Sequence, residues 1–158
     1  MALIKINSDE MKKILYIISA VAALLFAFSC EKDSSRVMNQ IAGEWHCTVT
    51  DSGVAQDVYL ALTADGQFEM YQQTGDGPYW YSAGKYTLDV ENMVLSGVYS
   101  DKYPWKYSYE ISVSGSSLTM TAVENPAYAV TYSKEAIPSE VRSMSLPLTK
   151  AEAAELFL

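Results

Sequence analysis

Few side chains in this sequence can act as nucleophiles, metal ligands or proton shuttles. The 158-residue chain has one histidine, His46, and two cysteines, Cys30 and Cys47. His46 and Cys47 are adjacent in EWHCTV, a stretch that alternates as a β-strand does. Successive strand residues point to opposite faces. The two therefore neither chelate one metal together nor form a Cys-His nucleophile pair. Cys47 falls on the apolar face and reads as a small core residue, while His46 falls on the solvent face. Glu44, Glu69 and Glu110 all take outward positions, which leaves no buried carboxylate pair for acid–base work. Asp76-Gly77 lacks the spaced acidic ligands of a calcium loop, and no glycine-rich phosphate cradle is present. The expectation is no catalytic residue, no metal and no cofactor, and hence no enzyme.

Charge and composition narrow the classes further. The formal net charge is −8. Tracking nucleic acid phosphates needs clustered Lys and Arg, and the sequence has no such cluster. Hydrophobic residues make up 49% of the chain, enough for a packed core. The length fits one domain.

The first thirty residues carry an address. Met11-Lys12-Lys13 precedes the apolar run ILYIISAVAALLFAF, residues 14–28, followed by Ser29-Cys30 and the polar EKDSSR. A membrane-spanning helix needs roughly 20 apolar residues, so this shorter run fits a signal peptide. The layout resembles a bacterial lipoprotein signal, with Phe26-Ala27-Phe28-Ser29-Cys30 as the lipobox. Ala27 stands where that family usually has Leu, and Phe28 is bulky. The resemblance implies cleavage before Cys30 and acylation of Cys30, which would tether the protein to a membrane. An ordinary secretory signal with an incidental cysteine is the alternative. Glu31 and Asp33 resemble the acidic surface-export signal of Bacteroidota lipoproteins, interrupted here by Lys32. Asp9 and Glu10 suit a signal peptide badly, so translation is expected to start at Met11. The expected location is the cell envelope, as an outer-membrane lipoprotein facing either the periplasm or the outside.

From residue 41 onward the pattern is strand, turn, strand. Trp45, Cys47 and Val49 share a face; so do Val58, Leu60 and Leu62, and Phe68, Met70 and Gln72. The same alternation runs through Gly84, Tyr86 and Leu88, then Leu95, Gly97 and Tyr99, then Tyr107, Tyr109 and Ile111. Leu118, Met120 and Ala122, and finally Tyr128, Val130 and Tyr132, complete eight candidate strands. Eight consecutive half-buried strands predict an all-β fold, an eight-stranded antiparallel up-and-down barrel. Ile137-Pro138-Ser139-Glu140-Val141 and the capping-box spacing Thr149-Lys150-Ala151-Glu152 predict short C-terminal helical segments. The expected organisation is leader and signal peptide over 1–29, lipidated Cys30 and linker over 30–40, barrel over 41–134, and helical tail over 135–158.

These residues resemble a family. Ile41-Ala42-Gly43-Glu44-Trp45 carries the Gly-x-Trp of a lipocalin first strand. LTADGQFEMYQ, GKYTLD, LSGVYSDKYPW, SYEISVSGSSLTMT and IPSEV look like the lipocalin-like lipoproteins of Bacteroidota. The resemblance covers nearly all of residues 41–141 and implies a lipocalin-like β-barrel that carries a ligand. Lipocalins place an Arg near the last strand, over that tryptophan; Lys134 is the basic residue nearby here, and the family's Thr-Asp-Tyr motif is missing.

A meander sorts its loops between two ends. Residues 64–66, 89–92 and 114–117 have tight-turn chemistry. Residues 50–56, 74–79, 100–105 and 124–127 form the other set, and three of these carry a proline beside aromatics: Pro78, Pro104 and Pro126. Proline lowers the entropy cost of ordering a loop, and Tyr and Trp offer rigid contact area. Tyr79, Trp80, Tyr103, Trp105 and Tyr128 are the expected rim of a ligand-binding mouth, with Gln72, Tyr86, Tyr99 and Tyr107 pointing inward near it. The expected ligand is small and apolar or amphipathic. A plugged barrel end is the bland alternative, and a rim that docks protein or glycan is the third. Gly84-Lys85-Tyr86 and Gly97-Val98-Tyr99 repeat a Gly-x-Tyr unit; such glycines let strands curve or aromatics lie across them.

If Cys30 is the acylated residue, Cys30→Ser abolishes labelling by radioactive palmitate and moves the protein from the membrane to the soluble fraction.

Overall fold

The computed structural model describes residues 34–51 and 53–148. The barrel lies within the unit Arg36–Leu158. The leader, Cys30 and the capping box at Thr149 lie outside the described residues. Eight strands follow in sequence: β1 (Gly43–Asp51), β2 (Val54–Leu62), β3 (Gln67–Thr74), β4 (Trp80–Asp89), β5 (Val94–Tyr99), β6 (Tyr109–Ser114), β7 (Ser117–Ala122) and β8 (Ala129–Lys134). Each pairs antiparallel with its neighbours, and β8 returns to β1. The sheet therefore closes into the eight-stranded up-and-down barrel that the alternation predicts. Closure removes the exposed edges that an open sheet would present.

The inward positions are the predicted ones. Trp45, Leu60, Phe68, Met70, Leu95, Leu118, Met120 and Tyr132 are all buried in one core cluster. Residues 34–41 form helix α1, whose Met38 and Ile41 pack against this cluster. Trp45 donates its indole N–H to the Ile41 carbonyl at 2.9 Å. The Lys134 ammonium lies 5.4 Å from the centre of the same indole, a cation–π contact. This is the helix end of the barrel. Tyr86 belongs to it as well: its hydroxyl donates to the Thr63 carbonyl at 2.6 Å, beside the β2–β3 turn. The expectation that Tyr86 stands near the loop end is corrected by that bond.

The opposite, loop end carries the turns after β1, β3, β5 and β7. The first of these is tighter than the expected loop over 50–56. Pairing continues through Thr50↔Ala55 and Asp51↔Val54. Gly53 makes the sharp turn possible with φ of 83°, a conformation that residues with a Cβ rarely adopt.

Two seams in the wall are short. β8 meets β1 only at Trp45↔Lys134 and His46↔Ser133, and β5 meets β6 only at Val94↔Glu110 and Leu95↔Tyr109. Beyond Leu95 the β5–β6 connection folds back on β5 itself. Tyr99 N–H donates to the Tyr103 carbonyl at 2.7 Å, and Trp105 N–H to the Gly97 carbonyl at 2.9 Å. This small hairpin drives the Trp105 side chain inward, where it is 5% exposed. Its indole lies flat against Gly97, where any Cβ would sit inside the ring. Gly84 is crowded differently: a Cβ there would strike the Val98 carbonyl and the Phe68 ring. Both Gly-x-Tyr glycines thus make room for aromatic or backbone neighbours.

The C-terminal arm wraps the outside. Helix α2 (Ser139–Met144) buries Val141, which with Ile137 packs on Tyr59 and Tyr71 of the outer wall. The predicted helical turn is therefore real and sits on the barrel wall. Arg142 pins it, reaching Glu44 and Glu69 at 2.7 Å each. A two-residue strand β9 (Leu146–Pro147) then runs parallel to β4 at Trp80 and Tyr81. It occupies the β4 edge that β5 leaves when its chain turns back.

The contrast between the two glycines is measurable by urea denaturation. Gly97→Ala costs about 2 kcal/mol, an overpacking penalty, and Trp105→Leu in the same chain relieves it. Gly84→Ala costs at least as much, and Trp105→Leu does not relieve it, because the obstacle is backbone.

Candidate functional site

Side chains that alternate inward along each strand become more polar toward the loop end. Near α1 the lining is Trp45, Cys47, Leu60, Leu62 and Leu95. Toward the loop end it includes Gln72, Ser82, Tyr99, Tyr107 and Tyr128. Gln72 sits across from Trp80 in the β3–β4 register, and Ser82 across from Met70. Gln72 is 6% exposed and its amide approaches Gln56 at 3.4 Å, a long hydrogen bond.

Aromatic rings fill the space between these groups. Phe68 meets Trp105 edge-on at 5.1 Å and Tyr99 at 5.6 Å. Trp105 meets Tyr109 at 6.1 Å, Tyr109 meets Tyr107 at 6.3 Å, and Tyr107 meets Tyr128 at 5.9 Å. These are the offset geometries that ring quadrupoles favour. Burial pushes the Tyr99 and Tyr109 phenols above their ordinary range, so both stay neutral and keep a proton to donate.

Two polar atoms in this lining have no partner among the described residues: the Ser82 hydroxyl and the Trp105 indole N–H are buried without a hydrogen bond from them. Each such group costs about 1–3 kcal/mol when left unmade. Trp45, by contrast, satisfies the same indole group within the protein.

The nine residues expected at the mouth therefore separate. Gln72, Trp80, Tyr99, Tyr107 and Tyr128 share the inner face toward the loop end, with Trp80 half-buried. Trp105 joins them from the β5–β6 connection, as a buried plug in place of an exposed rim residue. Tyr103 stays out, 48% exposed. Tyr86 closes the other end. Tyr79 turns to the outer wall and donates to Asp57 at 2.5 Å. Ser82 was missed, although it lies on the inward line Trp80, Ser82, Gly84, Tyr86 that alternation already defines.

The outer wall holds a second cluster. His46 lies between two carboxylates: Nε2 to Asp57 at 2.7 Å and Nδ1 to Glu135 at 2.9 Å. Its ring stacks on Tyr59 at 4.3 Å. Asp57 also accepts from Thr48 at 2.8 Å. Burial opposes the His46 charge, but the bonds to Asp57 and Glu135 outweigh it and raise its pKa. Burial likewise opposes the Asp57 charge, and bonds from Tyr79, His46 and Thr48 outweigh it and lower its pKa. Both ring nitrogens are taken, so the cluster offers neither a free base nor a metal ligand. It ties β1 to β2 and to the arm that follows β8. Asp57 escapes the sequence reading because the β1–β2 hairpin is drawn too long there; with the turn at Gly53, Asp57 falls opposite Thr48 and beside His46. Cys47, on the inner face, has its thiol pushed to about 12 by burial and is unreactive.

No family model matches the chain, and no curated protein matches it. Among solved structures, the NMR structure of a protein from Bacteroides uniformis ATCC 8492 is similar at 13% identity and a TM-score of 0.48. The match covers 63% of this chain and 93% of that one.

The His46 clamp gives stability a pH signature. A raised imidazole pKa contributes stability fully below the ordinary value of 6.5 and loses it as pH rises through the folded value. A lowered Asp57 pKa contributes above the ordinary 3.8 and loses it as pH falls through the folded value. In chemical denaturation, His46→Gln therefore costs most in the window between those two values and progressively less in alkaline buffer. An effect of His46→Gln that stays constant across this range contradicts the clamp.

Proposed function

We propose that this protein is a non-enzymatic, lipid-anchored barrel of the cell envelope that binds a small, partly apolar ligand at its loop end. The lipocalin-like pattern of the strands and the lipobox-like run ending at Cys30 support the class and the anchor, and an outer-membrane location is part of the same proposal. One observation carries the ligand. The loop-end interior holds a buried hydroxyl at Ser82 and a buried indole N–H at Trp105 that have no partner among the described residues. Proteins pair more than nine in ten of their buried polar groups. A ligand with an acceptor for the indole and an apolar body for the Phe68–Tyr109 aromatic set completes them.

Entry runs through the β5–β6 seam. Beyond Leu95 the seam has no ladder, and Trp105 is carried by a hairpin that contacts mainly β5. Outward movement of that hairpin opens the way to Ser82, and its return brings the Trp105 indole N–H against the bound ligand.

A second reading has its own support. Val54, Tyr103 and Val123, at three separate loop-end turns, are each 44% or more exposed. Such tips suit docking to a protein or glycan with the barrel left filled.

Native mass spectrometry of the gently purified protein separates the two. Ligand binding predicts a mass excess that is lost on denaturation and is absent from Ser82→Ala, Trp105→Phe chains. A clean mass in every preparation, including after exposure to envelope extract, supports the docking reading instead.

A further inference from the structure

A groove of about 810 Å³ lies on the outer wall, on the face opposite the Trp105 plug. Its size falls within the usual range of ligand sites, roughly 300–1,000 Å³. Ala61 and Ala83 leave room in it because their side chains are small, and Val98, 44% exposed, adds an apolar side. Lys85 and Lys102 flank it, and no carboxylate ion-pairs with either lysine among the described residues. Asp65 is near enough for the Lys85 charge to help hold its carboxyl low, without an ion pair. Arg142 and its carboxylates Glu44 and Glu69 bound the other side, but these three are spent on one another. The groove thus offers two free cations and an apolar side, in a chain whose net charge is −8.

The described arm leads to this groove. Leu146 N–H donates to the Tyr79 carbonyl and Leu148 N–H to the Tyr81 carbonyl, each at 2.8 Å, so the arm advances along β4 toward Ala83. There Ser100 N–H already holds the Ala83 carbonyl at 2.8 Å. Ser100 thus takes the carbonyl that a further rung of the arm would use, and the groove borders this point at Tyr81, Ala83 and Ser100. The sequence that follows Leu148 is TKAEAAELFL, residues 149–158. It brings two carboxylates, Glu152 and Glu155, and an apolar Leu156-Phe157-Leu158. Ten residues reach at most about 33 Å, ample for a groove that borders Tyr81. Attachment through Leu148 also gives the segment a high effective concentration.

We propose that residues 149–158 dock in this groove, with Glu152 and Glu155 at Lys85 and Lys102 and the apolar end against Val98. The groove is then a receptor for an acidic amphipathic peptide, held by the protein's own C-terminal segment. This site is separate from the loop-end interior and does not depend on the ligand proposed there.

The test is NMR of the full chain in detergent micelles against a chain ending at Leu148. Docking predicts amide shifts at Ala83, Val98, Ser100 and Lys102 on truncation, and their recovery when the peptide TKAEAAELFL is added. Lys85→Glu with Lys102→Glu weakens that peptide about tenfold, the worth of two exposed ion pairs. The same pair of substitutions in the full chain reproduces the truncation shifts without disturbing the fold, since both lysines are exposed. Shifts confined to residues 145–148 overturn the proposal. Shifts that grow with protein concentration also overturn it, because the occupant is then a second copy. Equal binding of a scrambled peptide overturns it as well.

Discussion

The barrel is completed by an indole that none of its eight strands supplies. Trp105 sits on the connection after β5, and its ring lies on Gly97 where an ordinary strand residue would have placed a side chain. A closed eight-stranded barrel has an interior just wide enough to be filled by side chains or to hold one small ligand. Here the filling is shared between wall and loop at one position. The wall contributes a glycine and the loop contributes the ring. The indole brings dense contacts with Phe68 and Tyr109, and it also brings a buried N–H that none of the described residues accepts. The packing favours the closed form, while the unpaired donor subtracts from it. That balance is what makes a displaceable plug physically reasonable at a seam where β5 and β6 scarcely pair.

The other short seam is held differently. β8 and β1 share little ladder, but His46 clamps Asp57 and Glu135 across the neighbouring wall. Just beyond, Glu44 accepts the Ile137 N–H and one arm of Arg142. The outer wall of β1–β4 is therefore fastened by charge and by the tyrosines under α2. At the β5–β6 seam the described residues show a Ser96–Ser108 hydroxyl bond at 2.9 Å but no ion pair. Asymmetry of this kind directs opening to one seam, since local opening follows the lowest density of contacts.

Much of the fold was legible in the sequence because alternation has a period of two and errs only by inversion. Trp45, Leu60, Met70, Leu118 and Tyr132 all point where that period places them. Turn chemistry at Asp65-Gly66 and Ser114-Gly115 fixed the helix end. What remained hidden depended on long-range geometry. The inward turn of Trp105 follows from a back-folded hairpin that a proline-containing loop does not announce. The outward turn of Tyr79 follows from Asp57, whose position depends on the length of the β1–β2 hairpin. The His46 cluster joins residues eleven and eighty-nine positions apart, and no local pattern links them. Ser82 was available from parity alone, but a small residue among Trp80, Tyr81 and Tyr86 gives a weak signal.

The central claim is that Trp105 closes a site that can open without unfolding the barrel. Hydrogen exchange of the three tryptophan indole N–H groups, followed by NMR, tests it directly. Trp45 is fully buried and bonded to Ile41, so its indole reports global unfolding. The account predicts that the Trp105 indole exchanges much faster than that of Trp45 and at a rate insensitive to low urea, the mark of local opening. If the two indoles exchange together and respond equally to urea, Trp105 is a permanent part of the core and the plug does not open.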